Sequence, residues 1–331
     1  MSSTLIAWIV RAVQFGTIIM FGSMGEIMTE KSGNLNLGVP GIMYLGGFGG
    51  FASAYLYEKY AANPNGLVCV IIALVCSIVM AVFGGLIYSF LTTTLRANQN
   101  VSGLALTTFG MGVANFFGVF LLNGASYTAA PLAYSMFSKK IPVLSSKLGV
   151  LSGVVFSYGF LVYIAIIFAI VMHLVLVKTR IGLNLRAVGE NPATADAAGI
   201  NVTKYKYLAT CIGAGISGIG GLYYVLDYNQ GIWATTGQIE ALGWLALALV
   251  IFTTWKPLNA IWGAYLFGLL YWLYQFLPTL MGWHVASHIT DLIQMVPYVV
   301  TMIVLIVVSF RKKKENQPPE SLGLSYFRED R

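Results

Sequence analysis

The chain has 331 residues, of which 57% are hydrophobic and only 9% are charged, and its mean hydropathy is +0.76. A soluble domain carries about 25% charged residues, so this chain is a polytopic membrane protein without room for a large soluble domain. Its net charge of +7 does not indicate nucleic-acid binding, because basic residues on cytoplasmic loops follow the positive-inside rule.

Apolar segments follow one another along the chain and predict an all-α fold, a polytopic transmembrane helical bundle. A span needs ~20 apolar residues, so about nine spans, with a range of about eight to ten, fill the length. The segments cover approximately residues 5–24, 41–57, 67–90, 101–122, 152–177, 205–226, 240–254, 258–277 and 289–310. We expect residues 1–310 to form a single transmembrane domain and residues 311–331 to form a tail.

Basic residues predict how these segments are oriented. Arg311 to Lys314 directly follow the last apolar segment, which places the C-terminal tail in the cytoplasm. Counting back places the loop 178–206 in the cytoplasm as well, and the loops 123–151, 227–239 and 278–288 outside. About nine spans put the N-terminus outside, whereas a further span hidden in 24–40 puts it inside, and both arrangements stay open.

Residues 33–38, GNLNLG, interrupt the apolar pattern near the N-terminus. Asn and Gly disfavour a helix interior, so this stretch predicts irregular backbone. At membrane depth such backbone survives only where it is buried in protein or lines a wet cavity, which makes Asn34 and Asn36 candidates for a translocation path. The alternative is an interfacial loop, in which the nearby Glu26 and Glu30 are simply solvated.

Small residues recur at the spacing of closely packed helices. The pairs involve Gly46, Gly50, Gly213, Ala214, Ser217, Gly218 and Gly221. Such residues let two helices approach until their backbones are in van der Waals contact. The stretch GAGISGIGG superficially matches a dinucleotide-binding loop, but it lacks the preceding strand and the following acidic residue that this motif requires.

The loop 178–206 contains a predicted short helix. Asn191 is a good N-cap, Pro192 suits the first helical position, and Gly199 suits the position after the last turn. The helix of about two turns would be roughly 10 Å long. Its small alanine faces favour docking into a groove on another protein, and the alternative is an amphipathic connector that rests on the lipid headgroups.

Other polar residues are weaker candidates. Asn115 lies inside an apolar run, where it either lines a pore or makes a hydrogen bond between helices. Asp227, Asn229 and Trp233 lie at the predicted outer mouth, where they either receive a polar substrate or form an ordinary aromatic belt with capping residues.

Motifs for catalysis and metal binding are missing from the sequence. It has no Walker A, GxSxG or HExxH motif, so any ATP that drives transport must bind to another subunit. His284 and His288 have i, i+4 spacing, but no further ligand completes the set before Asp291, and we expect no metal site.

Two stretches resemble ABC-importer permeases for nucleosides and simple sugars. TEKSGNLNLGVPGIMYLGG at 29–47 resembles the N-terminal signature of that family, and LRAVGENPATADAAGINVTKYK at 185–206 resembles its cytoplasmic coupling segment. Segments 213–224, 241–268 and 292–307 are similar to spans of the same family, and the nucleoside branch is the most similar. The family usually has an acidic residue where Pro40 stands, so no role of that acid carries over.

The resemblance implies a set of partners and a location. A permease of this family pairs with a second permease subunit, often as a heterodimer, in the bacterial plasma membrane and in contact with membrane lipid. A cytoplasmic ABC ATPase binds ATP and Mg, and an extracytoplasmic binding protein delivers the substrate. The resemblance implies no cofactor on this chain.

The resemblance also implies roles for residues. The short helix would dock into a groove of the ATPase, with Arg186 paired to an acidic residue there. Its contact residues would be Glu190, Asn191, Ala193, Thr194, Ala195 and Ala197. The translocation path would involve Asn34, Asn36, Asn115 and Gly218.

An ion-coupled secondary transporter of a small polar metabolite is the main alternative. Such a carrier needs an intramembrane ionisable residue, for which Glu26, Glu30 and Glu240 are the acids near spans. A membrane-embedded enzyme is a further alternative, and the sparse His, Asp and Glu argue against it.

Overall fold

The computed structural model describes residues 2–121, 128–140, 154–233, 237–282, 292–293, 295–311 and 317–327. Their helices are α1 (Ser2–Glu30), α2 (Val39–Tyr60), α3 (Gly66–Ser89), α4 (Gln99–Leu121), α5 (Pro131–Phe137), α6 (Phe160–Lys178), α7 (Arg180–Glu190), α8 (Pro192–Ala197), α9 (Val202–Tyr223), α10 (Gln238–Phe252), α11 (Pro257–Tyr271), α12 (Leu273–Met281) and α13 (Val296–Arg311). Short π-helical turns extend α3 over Phe90–Thr94 and α9 over Tyr224–Tyr228.

Two very short strands are the exception to the predicted all-α fold. β1 (Thr128–Ala129) pairs antiparallel with β2 (Ile232–Trp233), and Thr128 lies opposite Trp233. This ladder joins the chain after α4 to the chain after α9. It therefore fixes the loop in which Trp233 stands.

Five helical stretches within the described residues are long and apolar enough to cross a membrane, and the fold is that of a helical membrane protein. They are Thr4–Glu30, Gly66–Thr94, Gln99–Leu121, Phe160–Lys178 and Val202–Tyr228. α11 and α12 make a sixth if this pair, bent by 58°, is one broken span. The larger number of spans expected from the sequence stays a prediction.

Two predicted segments differ from the helices observed, and a third, which is short for a span, matches one helix. α1 runs on through Glu30, well past residue 24, so irregular backbone is confined to residues 31–38. The segment 258–277 is broken at Trp272, which separates α11 from α12. The short segment 240–254 is α10, a single helix of 15 residues.

α9 lies at the centre of the helical bundle and packs against α1, α2 and α3. α1 also packs against α10 and α11, so the first helix connects the two halves of the chain. The buried core includes Ile18, Ile19, Phe21, Met24, Tyr44, Phe51, Tyr223 and Phe267. Burial of these large side chains between helices leaves the outer faces of α3, α4 and α6 apolar and exposed.

Glycines set the close approach of α2 to α9, as the sequence spacing predicts. A Cβ added to Gly47 would lie 3.0 Å from the carbonyl oxygen of Gly221. A Cβ added to Gly46 would overlap the backbone of Gly218, and one added to Gly25 of α1 would overlap Gly213. The predicted small-residue packing is confirmed, because no larger side chain fits at these crossings.

Gly46→Leu should lower the free energy of unfolding by about 1–3 kcal/mol or more, because overpacking a close helix crossing forces the two backbones apart. The measurement is thermal unfolding in detergent. Gly112→Leu is the matched control, since a Cβ at Gly112 meets nothing within 4 Å. Equal melting temperatures for the two variants would contradict the close crossing.

Candidate functional site

The short helix α8 has the two caps that its sequence predicts. The Asn191 side-chain oxygen accepts a hydrogen bond of 2.9 Å from the Thr194 amide. Gly199 ends the segment with a φ of +84°, a conformation that favours glycine. A short helix, Pro192–Ala197, thus lies where the sequence predicts one, and its role in coupling stays a prediction.

Only part of the predicted contact face of α8 is exposed. Glu190, Asn191, Thr194 and Ala197 are exposed, and together they form what we call the docking face. Ala195 is only 3% exposed, because it packs inward against Val188 and Val202. The prediction that Ala195 contacts a partner is therefore wrong.

Two further residues of the predicted set lie beside the docking face. Ala193 is half-buried at the first turn of α8. Arg186 is half-buried on α7, and no described residue hydrogen-bonds its Nε atom. Its pairing with an acidic residue of a partner stays a prediction.

Two buried carboxylates lie beside the loop that joins α1 to α2, residues 31–38, and one of them, Glu26, holds the loop. Glu26 is 1% exposed, and its Oε1 accepts a hydrogen bond of 2.9 Å from the Asn36 amide. Glu30 is 4% exposed and accepts a hydrogen bond from the indole N–H of Trp255. The interpretation of these glutamates as solvated is wrong, because protein donors replace water around both.

Asn34 and Asn36 tie the α1–α2 loop to its surroundings. The side-chain nitrogen of Asn34 donates a 3.0 Å hydrogen bond to the Thr210 hydroxyl of α9. The Asn36 side-chain oxygen accepts a 2.9 Å hydrogen bond from the Gly38 amide, and the Tyr88 hydroxyl of α3 donates one to the carbonyl of Leu35. Both asparagines are buried, and their role in a translocation path stays a prediction.

The α1–α2 loop also reaches the end of α7. A Cβ added to Gly189 would overlap the carbonyl oxygen of Lys31, so the two backbones touch. Burial lowers the pKa of Lys31 below its ordinary value, and the nearby Glu190 carboxylate partly opposes this shift. Lys31, Arg186 and Glu190 thus form a charged cluster where the loop meets the docking face.

The sequence did not predict that the C-terminal tail folds back on this region. Residues 317–327, which we call the C-terminal strap, lie against α7, α8 and the α1–α2 loop. The Ser321 amide and hydroxyl both donate to the carbonyl of Gly189, at 3.1 Å and 2.5 Å. The Tyr326 hydroxyl donates a 2.8 Å hydrogen bond to the Asp196 carboxylate of α8.

Gln99 at the start of α4 joins the strap to the α1–α2 loop. Its side-chain oxygen accepts a 2.7 Å hydrogen bond from the Leu35 amide, and its nitrogen donates one of 3.3 Å to the carbonyl of Leu324. Gly323 donates a further backbone hydrogen bond of 3.2 Å to Gly33. The turn-forming and aromatic composition of PPESLGLSYF differs from the rest of the charged tail, but it does not indicate which residues this segment contacts.

The two remaining path candidates lie in helix contacts. Gly218 is packed between α2 and α3, where an added Cβ would overlap Ala81. Asn115 is half-buried on α4, and no described residue hydrogen-bonds its side-chain oxygen. Their role in the path stays a prediction.

The residues expected at the outer mouth separate into different environments. Asp227 is 4% exposed and lines a cavity of about 370 Å³ together with Arg11 and Lys140. Asn229 donates a 2.7 Å hydrogen bond to the carbonyl of Ile232 and lines a neighbouring cavity of about 570 Å³. Both residues therefore line cavities, as a substrate-receiving role requires.

Trp233 lies in the core and not at the mouth. It is 1% exposed, and its ring stacks on Phe51 at 5.7 Å and meets Phe48 edge-on at 5.6 Å. The interpretations of Trp233 as a substrate contact and as a membrane-belt residue are both wrong. The β1–β2 ladder holds the residue beneath the surface.

The larger of these two cavities, which we call the outer cavity, combines aromatic rings with side-chain amides. Its polar and aromatic lining consists of Arg11, Phe15, Tyr224, Tyr228, Asn229, Gln230, Gln238, Tyr271, Trp272, Tyr274, Gln275, Phe276 and Tyr298. The Tyr224 hydroxyl donates to the Gln238 side chain, which orients that amide. Rings for stacking and amides for hydrogen bonds together suit a flat, polar ligand.

Within the described residues, no group of three His, Cys, Asp or Glu side chains is placed to hold a metal ion. His284 and His288 lie outside the described residues.

Comparison with known proteins gives one family and several relatives. The family described as "Branched-chain amino acid transport system / permease component" matches residues 8–308. The nucleoside ABC transporter permease protein NupC of Lactococcus lactis is 30% identical over 293 residues, which are 88% of each chain. The guanosine ABC transporter permease protein NupQ of Bacillus subtilis is 31% identical over 76% of each chain. TsgC13 of Haloferax volcanii, whose name provisionally assigns it to a glucose ABC transporter as a permease, is 32% identical over 78% of this chain and 74% of its own.

Tyr326→Phe combined with Ser321→Ala should speed amide hydrogen exchange in α8 by about fivefold to 150-fold. The reason is that each of the two lost hydrogen bonds removes ~0.5–1.5 kcal/mol of local stability. Leu324→Ala is the control within the strap, because the Leu324 side chain is 62% exposed. Exchange rates unchanged in the double variant would show that the strap does not hold α8.

Proposed function

The chain belongs to the family of branched-chain amino acid transport system permease components and is the permease subunit of an ABC importer, and from this we propose that it carries nucleosides, with simple sugars as the second candidate. It is a multi-pass plasma-membrane protein, and it is not itself an enzyme. The names of the relatives support the substrate class, since two are named for nucleosides or guanosine and one for glucose.

The outer cavity is the observation that favours a nucleoside over a sugar. A nucleobase presents a flat aromatic face and a polar edge. Stacking on an aromatic side chain stabilises a bound base by about 1–3 kcal/mol. Tyr228, Tyr271 and Trp272 supply such rings, while Gln238 and Gln275 supply donors and acceptors for the edge of the base.

The docking face of α8 is the proposed contact with the ATPase. α8 projects from the spans as a short, doubly capped helix, and Glu190, Asn191, Thr194 and Ala197 present small or polar side chains outward. A groove on the ATPase, which itself binds ATP and Mg, would receive these residues. Arg186 beside them would pair with an acidic residue of that groove.

Movement of the ATPase would reach the spans through the contacts around Gly189. The carbonyl of Gly189 accepts from Ser321, while its Cα lies against the α1–α2 loop. That loop is fixed to α9 by Asn34 and to α1 by Glu26. A rigid displacement of α8 would therefore tilt α1 and α9 together, as alternating access requires.

The remaining parts of the assembly follow from the family. We propose a single permease domain over residues 1–310 with about nine spans. A second permease subunit would complete the path, most simply as a heterodimer, and an extracytoplasmic binding protein would deliver the substrate. Two different relatives from Lactococcus lactis, NupB and NupC, are both named as nucleoside ABC transporter permease proteins. This supports the pairing of two permeases.

The alternative function, an ion-coupled carrier, is less favoured because the acidic residues that could bind the ion already accept hydrogen bonds within the protein. Glu26 and Glu30 are occupied by hydrogen bonds that hold the α1–α2 loop and Trp255. Glu240 on α10 accepts a hydrogen bond from Trp244 at 3.5 Å. A protonophore added while ATP is maintained should leave uptake intact, whereas a proton-coupled carrier would stop.

Glu190→Lys and Thr194→Arg should each lower uptake at least tenfold, because a long cationic side chain prevents the docking face from entering a groove. Co-purification of the ATPase from detergent-solubilised membranes should fall in parallel. Asn100→Arg adds the same charge as Thr194→Arg, at an exposed residue near the start of α4, and should leave both readouts unchanged. Normal uptake in both docking-face variants would exclude α8 as the contact.

Tyr228→Leu should raise the KM for nucleoside uptake by about fivefold to 150-fold, the range that corresponds to one lost base stack of ~1–3 kcal/mol. ATPase co-purification should not change, because Tyr228 lies at the opposite end of α9 from α8. Tyr60→Leu is the control, since Tyr60 is 74% exposed and lies outside the outer cavity. A loss of glucose uptake without a loss of nucleoside uptake would favour the sugar.

A further inference from the structure

A cavity of about 660 Å³ lies on the cytoplasmic side, between the end of α3 and the start of α9. Its lining includes three cationic side chains, Arg96, Lys204 and Lys206. Asp196 is its one described acidic residue, and that carboxylate already accepts the hydrogen bond from Tyr326 of the strap. The cavity therefore carries an excess of positive charge.

Lys206 makes this cavity different from an ordinary basic surface. Its side chain is only 3% exposed, and no described residue accepts a hydrogen bond from its ammonium group. The Thr93 hydroxyl, which also lines the cavity, is buried without a described hydrogen-bond partner. A buried cation that makes no hydrogen bond to a described carboxylate is costly, so Lys206 and the Thr93 hydroxyl favour an anionic ligand in this cavity.

The start of α9 adds to the positive potential of the cavity. This helix of 22 residues begins at Val202, and residues 201–204 line the cavity. Asn201 caps the Lys204 amide with a 2.9 Å hydrogen bond. The N-terminal end of a long helix attracts phosphate groups through its dipole and its free amides.

Apolar side chains lead from this cavity along the outside of the protein. On α9, Lys204 shares a face with Leu208 and Ile212, which are spaced at i+4 and i+8 and are both 48% exposed. On the other wall, Phe90 precedes Thr93 by one turn and is 50% exposed. An anionic group at one end and exposed apolar side chains along the adjoining faces match the two parts of a phospholipid.

We propose that this cavity binds the phosphate of an anionic phospholipid from the cytoplasmic leaflet. Lys206 and Thr93 would contact the phosphate oxygens, Arg96 and Lys204 would flank them, and the acyl chains would lie along α9 and the end of α3. Basic pockets between spans on the cytoplasmic side are suited to such headgroups. The proposal rests on the proposed membrane orientation and not on the nature of the transported substrate.

The experiment measures lipid binding by the purified full-length protein in detergent, by native mass spectrometry and by thermal stability. Phosphatidylglycerol should bind and stabilise the wild type, whereas phosphatidylcholine should not. Lys206→Met should weaken phosphatidylglycerol binding at least about fivefold, the factor expected for one basic residue at an anionic lipid. Lys206→Arg should retain binding, and Lys178→Met, at the exposed cytoplasmic end of α6, should behave as the wild type.

Several outcomes would overturn the proposal. Equal binding of the two lipids by the wild type, or equal phosphatidylglycerol binding by the wild type and Lys206→Met, would exclude the site. Soluble glycerol 3-phosphate that stabilises the protein as well as phosphatidylglycerol would assign the cavity to a free phosphate compound instead. No lipid preference, together with loss of ATPase co-purification in Lys206→Met, would assign it to an acidic side chain of the ATPase.

Two additional variants keep the test decisive if Lys206→Met does not fold. Lys204→Gln removes an exposed cation from the same cavity, and Thr93→Val removes the orphaned hydroxyl while preserving the shape of the side chain. Both should weaken phosphatidylglycerol binding without changing nucleoside KM. Unchanged lipid binding in both variants would overturn the assignment.

Discussion

Glu26 accepts a hydrogen bond from the amide of Asn36, and the arrangement of the α1–α2 loop, α7 and the strap depends on this contact. Irregular backbone beside a membrane span must be satisfied within the protein, because the bilayer offers no donors or acceptors. The α1–α2 loop meets this requirement through Glu26, Thr210, Tyr88 and Gln99. A loop fixed in this way becomes a rigid base against which α7 and the strap pack.

The strap and α8 extend this base outward from the spans. Ser321 and Tyr326 hold the carbonyl of Gly189 and the carboxylate of Asp196, at the two ends of the segment that we propose to contact the ATPase. A six-residue helix has little stability of its own, since isolated helices shorter than about 12 residues are marginal in water. Its caps and the strap supply the rigidity that transmission of movement requires.

The proposed lipid site lies next to α8 and the strap. Asp196 and Tyr326 line the cavity that contains Lys206, so an anion bound there would contact the walls that hold α8 in place. At the opposite end of α9, Tyr228 lines the outer cavity. α9 thus connects the proposed lipid and ATPase contacts at one end to the proposed substrate contacts at the other, and its glycine crossings with α1 and α2 keep it central.

The sequence by itself determined the features that depend on local chemistry. Apolar runs predicted the membrane helices, Asn191 and Gly199 predicted both ends of α8, and the spaced glycines predicted the close crossings. Only the tertiary structure decided which side of each element is buried. Ala195 turned inward because Val188 and Val202 cover it, and Trp233 entered the core because β1 pairs with β2. The strap shows the same limit, since its hydrogen bonds join residues more than a hundred positions apart, such as Ser321 and Gly189, and no local pattern encodes such a contact.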